Sequence, residues 1–422
     1  MSRQLNEEET VLCSLLSAAL HAEPCRMREI KNADWEKVLG LADRHRVLPL
    51  FYDVLSEASV LTPAQQALLD HKSRRTVHQS YRLLFLSRGV IELLKGNGVD
   101  SVLLKGSGTA GLYPVPELRK SGDIDLLFGG EAEAERAAEI LCAHGFRLAD
   151  KQSAHHHLVL FSPDGIGVEL HTMLAEPFDN GEINARLAEL IPEYLRHLET
   201  KEVMGIKFQL PQAPWHAFYL LVHMLQHFLR AGFGLKLLCD WVVFWEKEYT
   251  GEEEQTFLEL VQKTGIRGFA EMVTSVCVHY LGLSAERVRF LVGDAAVGRR
   301  SGHFGDGDAR ELLLDILEAE EFGRSDAKRM VAMRGNSLPD YLREFHHQTL
   351  LTYPSAQKYK ILLPAFWTAA LLGFLYRNRK LRGVSGWAVL RKAGVRSRLA
   401  GRMQLFRSGK SDAKRLRGSR RK

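Results

Sequence analysis

Hydrophobic and polar positions along the chain change their rhythm twice. Through the first hundred residues the apolar positions recur at helical spacing, in LNEEETVLCSLLSAAL, in DWEKVLGLADRHRVLPLFYDVL and in a long segment opening at Thr62. Thr62, Pro63 and Gln65 form a start signal there, with a capping hydroxyl, a proline at the first helical position and a glutamine three residues after the cap. Between about 99 and 211 the pattern breaks into short apolar runs separated by Gly, Pro and Asp: SVLLKG, DIDLLF, HHLVLF, GVELHTML and EVMGIKFQL. One helix, EAEAERAAEILCAHG, interrupts these strands. From 212 to about 376 the helical rhythm returns, through APWHAFYLLVHMLQHFL, LKLLCDWVVFWEKE and EQTFLELVQKTG, with GRRSGHFGDGDAR read as a loop. The chain therefore divides into helices over 1–98, a mixed-sheet core over 99–211, helices over 212–376 and a tail over 377–422. The fold class is α+β, a small mixed sheet flanked by helical regions.

Composition adds little until charge is resolved by position. At 422 residues, 45% hydrophobic and 26% charged, the chain has room for two or three packed units. The net charge of +6 is misleading, because residues 377–422 hold 17 Lys and Arg against one acid, Asp412. The remaining 376 residues carry a net charge of about −10. That tail mixes its cations with Trp387, Leu390, Leu399, Met403, Leu405 and Phe406, which leaves open a solvated tail, a nucleic-acid contact or a tether to an anionic membrane surface. ILLPAFWTAALLGFLY before it is too short, at sixteen residues, for the ~20 that span a bilayer, so a buried or interfacial helix is expected. The five cysteines are scattered without CxxC spacing, and the N-terminus lacks the charge and apolar run of an export signal. A cytoplasmic location is therefore expected, with the C-terminal region as the candidate for membrane association.

The chemistry concentrates in LLKGSGTAGLYPVPELRKSGDIDLLF, residues 103–128. A strand alternates its side chains, so Asp123 and Asp125 share one face while Ile124, Leu126 and Phe128 share the apolar one. Two carboxylates at that spacing hold divalent cations on a polyphosphate if a third joins them. Glu169 in GVELHTML is the candidate, with His171 on its face, provided the two strands pair. Such a triad suits two-metal phosphoryl or nucleotidyl transfer. Upstream, Gly106 and Ser107 close an apolar strand in a turn able to cradle phosphate, and Lys105 and Arg119 are candidate phosphate cations.

Other groupings read more plainly. Asp306 and Asp308 in GDGD have glycine neighbours and read as loop acids. His155, His156 and His157 cannot all face one ion from a strand, and read as structural, with one of them free to face a pocket. His223 and His227 stand four apart without the glutamate of HExxH, which favours packing or pocket lining over metal ligation, and Asp240 reads as a helix-packing acid.

The stretch LKGSGTAGLYPVPELRKSGDIDLLF followed by VELH resembles the DNA polymerase β-like nucleotidyltransferase superfamily. It is most similar to the branch of uncharacterised nucleotidyltransferases, in which Lys-Gly, Tyr-Pro, Arg and Gly-Asp-Ile-Asp-Leu follow in this order. The likeness extends over residues 34–245, taking in DWEKVLGLADRHRVLPLFYDVL and LLVHMLQHFLRAGFGLKLLCDWVVF. The gap of seventeen residues from Gly106 to Asp123 is longer than usual for the superfamily. The resemblance implies that Asp123, Asp125 and Glu169 bind Mg2+, with Mn2+ as an alternative, that Glu169 shares in activating the acceptor, and that Gly106 and Ser107 hold phosphate. It implies an NTP as donor and leaves the acceptor unnamed. Two rivals stand beside it: a catalytically silent nucleotide-binding or scaffolding protein, and a glycosyltransferase with an Asp-x-Asp motif. The second fits less well, since the region before the motif reads as helix rather than the strand–helix alternation that binds a nucleotide sugar.

Overall fold

In the computed structural model the described residues are 3–24, 30, 33–56, 59–149, 157–178, 180–230, 232–293, 304–319, 338–353, 355–382, 396 and 398–406. The chain enters through α1 (Glu7–His21), whose start is fixed by a capping box: Asn6 Oδ1 accepts from the Glu9 amide at 2.8 Å and Glu9 Oε2 from the Asn6 amide at 2.9 Å. Next come α2 (Trp35–Arg44) and α3 (Pro63–Gly96). The Thr62–Gln65 signal forms the same box, and the 34-residue helix it opens runs about 50 Å at 1.5 Å per residue.

The core that follows is a five-stranded sheet in the order β1-β2-β5-β4-β3, built from β1 (Val102–Leu103), β2 (Asp123–Leu127), β3 (Arg147–Leu148), β4 (His157–Phe161) and β5 (Gly167–His171). The short helix α4 (Ser107–Ala110) follows β1, and α5 (Glu131–Ala143) follows β2. Every pairing is antiparallel except β2–β5, which is parallel with Asp125 opposite Glu169. A parallel neighbour needs a crossover, and α5, β3 and β4 supply it. One face of the sheet is apolar: Ile124, Leu126, Phe128, Val168 and Leu170 bury against Leu83, Leu84, Val90 and Leu94 of α3 and the alanines of α5. With that face committed to the core, the aspartates, Glu169 and His171 are left on the other.

The sequence pattern underrates this region in three places. EVMGIKFQL is not one strand but the turn of a hairpin, β6 (Leu198–Val203) with β7 (Ile206–Pro211), because Met204 and Gly205 take φ of 49° and 81° as a tight primed turn requires. The helix α6 (Gly181–Tyr194), capped by Asn180, and the two-residue strand β3 were also not anticipated.

The helices α7 (Ala213–Arg230), α8 (Leu235–Lys247), α9 (Glu253–Lys263) and α10 (Arg267–Tyr280) share one core with α1 and α2, in which Leu12, Val38, Trp241 and Trp245 are fully or almost fully buried. GDGDAR is not a loop: Asp306 opens α11 (Asp306–Ala319), and its two acids sit in the first turn, where the helix dipole favours them. Two further helices, α12 (Leu338–Thr352) and α13 (Leu363–Arg382), pack on each other. Of the buried or interfacial helix expected at 361–376, the buried alternative is corrected here. Ile361, Leu362, Trp367, Leu371 and Leu372 are exposed. No helix among the described residues is long and apolar enough to cross a membrane.

A wholly solvated tail is also ruled out, because Leu399, Ala400, Met403 and Leu405 are buried in the main core. Arg396 is fully buried and donates to Asp315 at 2.7 Å. Most of 383–422, with Trp387 and Leu390, lies outside the described residues, as do His155 and His156.

Candidate active site

The polar face of β2 and β5 forms the floor of a cavity of about 350 Å³, roofed by α7 and α8. Because β2 and β5 run parallel in register, Asp125 and Glu169 are direct neighbours, and Asp123 lies one pleat away. One carboxylate oxygen from each of the three lies within 4.8 Å of the others. Asp125 is fully buried and its Oδ2 has no hydrogen-bond partner among the described residues, whereas Asp123 stands at the mouth.

Cations from the chain surround the acids. Lys105 Nζ lies 3.1 Å from Asp125 and 4.0 Å from Asp123. His171 Nε2 shares itself between Asp125 Oδ1 at 3.1 Å and Glu169 Oε2 at 3.2 Å. Burial alone would drive the Asp125 carboxyl up, but Lys105 and the His171 hydrogen bond outweigh it and hold it below the usual range. Burial likewise opposes the charged His171 ring, yet its two carboxylate partners raise it to about 9.

The turn at Gly106 and Ser107, expected from the sequence to hold phosphate, lies beside them. Gly106 takes φ 68° and ψ −115°, open to glycine and strained for other residues, and a Cβ there would stand 3.4 Å from the Asp123 carbonyl oxygen. Gly106 lines the cavity; Ser107, buried on the first turn of α4, does not. Arg119 is buried and engaged. Its Nε and Nη2 make a two-pronged pair with Asp240 of α8, both at 2.7 Å, while Nη1 donates to the Gly106 carbonyl at 3.2 Å and to Ser121 Oγ at 2.5 Å. The Tyr113 hydroxyl donates to the same Asp240 at 2.6 Å. Asp240 thus does more than pack a helix: through Arg119 it fixes the turn that precedes the aspartate strand.

The structure therefore brings Lys105, Gly106, Arg119, Asp123, Glu169 and His171 to one cavity wall, with the fully buried Asp125 just beneath it against Lys105 and His171. On the roof, His223 and His227 take the pocket-lining half of their sequence reading, and Tyr219 is the residue that reading missed. Tyr219, His223 and His227 stand on α7 at i, i+4 and i+8, the period that points side chains one way, and all three line the cavity. Burial, then the nearby carboxylates, holds the Tyr219 hydroxyl in its protonated form, and burial beside Lys105 holds His223 neutral. Of the histidine triplet, His157 faces the cavity across from His171, with ring centroids 5.0 Å apart.

Residues 31–282 match a family model described as an uncharacterised nucleotidyltransferase, a span that holds the sheet, the hairpin and the helices over the cavity. No curated protein matches the chain.

Proposed function

The chain belongs to the uncharacterised nucleotidyltransferase family, and from that premise we propose that it moves a nucleoside monophosphate from an NTP to an acceptor hydroxyl, using Mg2+ or Mn2+ held by Asp123, Asp125 and Glu169. The observation that carries the reading is the parallel register of β2 and β5, which gathers three carboxylates on one polar patch of an otherwise apolar sheet. The donor set fits a hard divalent cation: all three groups offer oxygen, and the buried Asp125 Oδ2 is otherwise unsatisfied. A divalent ion bound there would neutralise triphosphate charge and favour departure of pyrophosphate.

The chain's own groups have separable tasks. Lys105 holds charge balance at the carboxylates and is placed to meet a phosphate. His171, by donating to both Asp125 and Glu169, sets the orientation of two ligands at once. Gly106 allows the backbone to approach phosphate closely, with Ser107 next to it on the turn, and Arg119 acts as a positioning residue from below. Glu169, half-buried between floor and roof, is the group placed to draw the proton from the acceptor hydroxyl.

One contact favours the rival in which the fold binds nucleotide without transferring it. Lys105 already occupies the carboxylate cleft, and a permanent internal cation of that kind would displace a metal. The two readings separate in one assay. Purified protein incubated with labelled NTPs and Mg2+ across a broad acceptor screen should release pyrophosphate and label a product, both lost in the Asp123→Ala/Asp125→Ala variant. NTP binding without release, or equal transfer by the two proteins, overturns the transferase reading.

A further inference from the structure

Between α3, the segment 43–49 and the pair Lys120 and Ser121 lies a second concavity, a groove of about 570 Å³ that shares Ser121 with the candidate active-site cavity. Six cationic side chains line it, from three separate parts of the chain: Arg46 from the turn after α2, Lys72, Arg74, Arg75 and Arg82 from α3, and Lys120 from the segment leading to β2. Among the described residues Asp43 is the one carboxylate in the lining, paired to Lys72 at 2.8 Å, Asp164 approaches Arg82 at 3.7 Å, and Arg46 and Lys120 have partners of their own. This concentration stands on a part of the chain whose overall charge, residues 1–376, is about −10. A solvated helix face mixes its signs; here one sign converges on a concave surface that leads toward the carboxylates.

The helix carries a second kind of group along the same stripe. Arg74, His78, Arg82 and Phe85 follow at spacings of four, four and three, so they lie on one side of α3, with Tyr81 at its edge. Phe85 is 58% exposed and Tyr81 39%, their rings stacked with centroids 6.3 Å apart, and the Tyr81 hydroxyl donates to Glu117 at 3.0 Å. Exposed aromatic faces beside a row of arginines are what an unpaired base requires: cations for the backbone phosphates and rings for stacking. A duplex has no free base face to offer them. From Lys72 to Phe85 the helix rises about 20 Å, room for three or so phosphates of an extended strand.

We propose that this groove binds single-stranded nucleic acid and directs one end of the strand past Ser121 toward the catalytic cavity. The role of that strand as the acceptor rests on the nucleotidyl-transfer reading, but its binding does not, so the test omits NTP and divalent metal. Full-length protein is titrated against a fluorescein-labelled single-stranded RNA of about 12 nucleotides, with anisotropy read between about 50 and 200 mM NaCl. The wild type should bind with a steep loss on added salt. Arg74→Gln/Arg75→Gln/Arg82→Gln should weaken binding about tenfold or more and flatten the salt slope. Phe85→Ala should weaken it several-fold and leave the slope alone. All these side chains are at the surface, and an unchanged Tm for each variant confirms an intact fold. Ultraviolet crosslinks should fall on the peptide containing Tyr81 and Phe85. Wild-type affinity in the triple variant, with crosslinks confined to residues 377–422, overturns the proposal. So does binding that duplex RNA or heparin competes away equally while Phe85→Ala has no effect, for that describes a simple polyanion surface.

Discussion

At the scale of single residues, the site is an arrangement of charges that are balanced only together. Removing Lys105 while keeping its length, as in Lys105→Met, leaves Asp125 buried without its main counter-charge. The variant should lose stability by about 3–5 kcal/mol in chelator, and Mn2+ should raise its Tm by more than it raises that of the wild type. An equal metal-induced shift in both would mean that the lysine and the metal do not share a site. Gly106→Ala tests the backbone: φ 68° with ψ −115° is strained for any side chain, at a cost of about 1–3 kcal/mol, and transfer should fall with stability. Much of this was legible beforehand. Asp123, Asp125 and Glu169 announce themselves because a charged residue every second position in an apolar strand has one face to go to. Tyr219 gave no such signal, and the spacing of His223 and His227 could not divide packing from pocket lining, since an amphipathic helix buries rings of that kind whether or not a cavity lies beneath.

At the scale of elements, the interesting join is between α8 and the turn before the aspartate strand. Asp240 is buried with three donors, two from Arg119 and one from Tyr113, so Asp240→Asn removes a charge that none of the neighbouring groups replaces. A loss of about 3–5 kcal/mol is expected by denaturant unfolding, with weakened NTP binding at lower denaturant than global unfolding as the turn loosens. A sequence cannot reveal this pairing, because 121 positions separate Arg119 from Asp240. The helical elements also carry buried neutral histidines. Burial lowers His45 to about 4 and His216 to about 3. Below their unfolded value of about 6.5 the unfolded chain binds protons that the folded chain refuses, so stability is complete at neutral pH and falls toward the folded values. Each group should cost about 1.4 kcal/mol per pH unit below 6.5. Thermal melts from pH 7 to 5 should therefore slope downward, and His216→Gln should flatten the slope; superimposable profiles would disprove the assignment.

At the scale of the whole molecule, the change from helical to strand rhythm is written in the sequence, whereas which helices share a core is not. The N-terminal helices read as their own region, yet α1 packs on α8 and α10 and shares their core, and the stretch 398–406 returns to it from the far end of the chain. Local periodicity gives a helix its apolar face and says nothing of which helix answers it. Truncation before residue 396 should thus lower Tm as well as remove charge, since Arg396, Leu399 and Met403 would leave buried places. The exposed row on α13 is the counterpart, an apolar surface that the described residues do not cover.

The parallel alignment of β2 with β5 also governs where the gene can change length. A residue lost between Gly167 and Glu169 would turn that glutamate to the oily side of the sheet, while one added at the Pro163–Gly165 bend would be absorbed before the strand begins. A deletion scan across 163–170 should accordingly show tolerance giving way to loss within a few codons, marking where the reading frame of the chemistry starts.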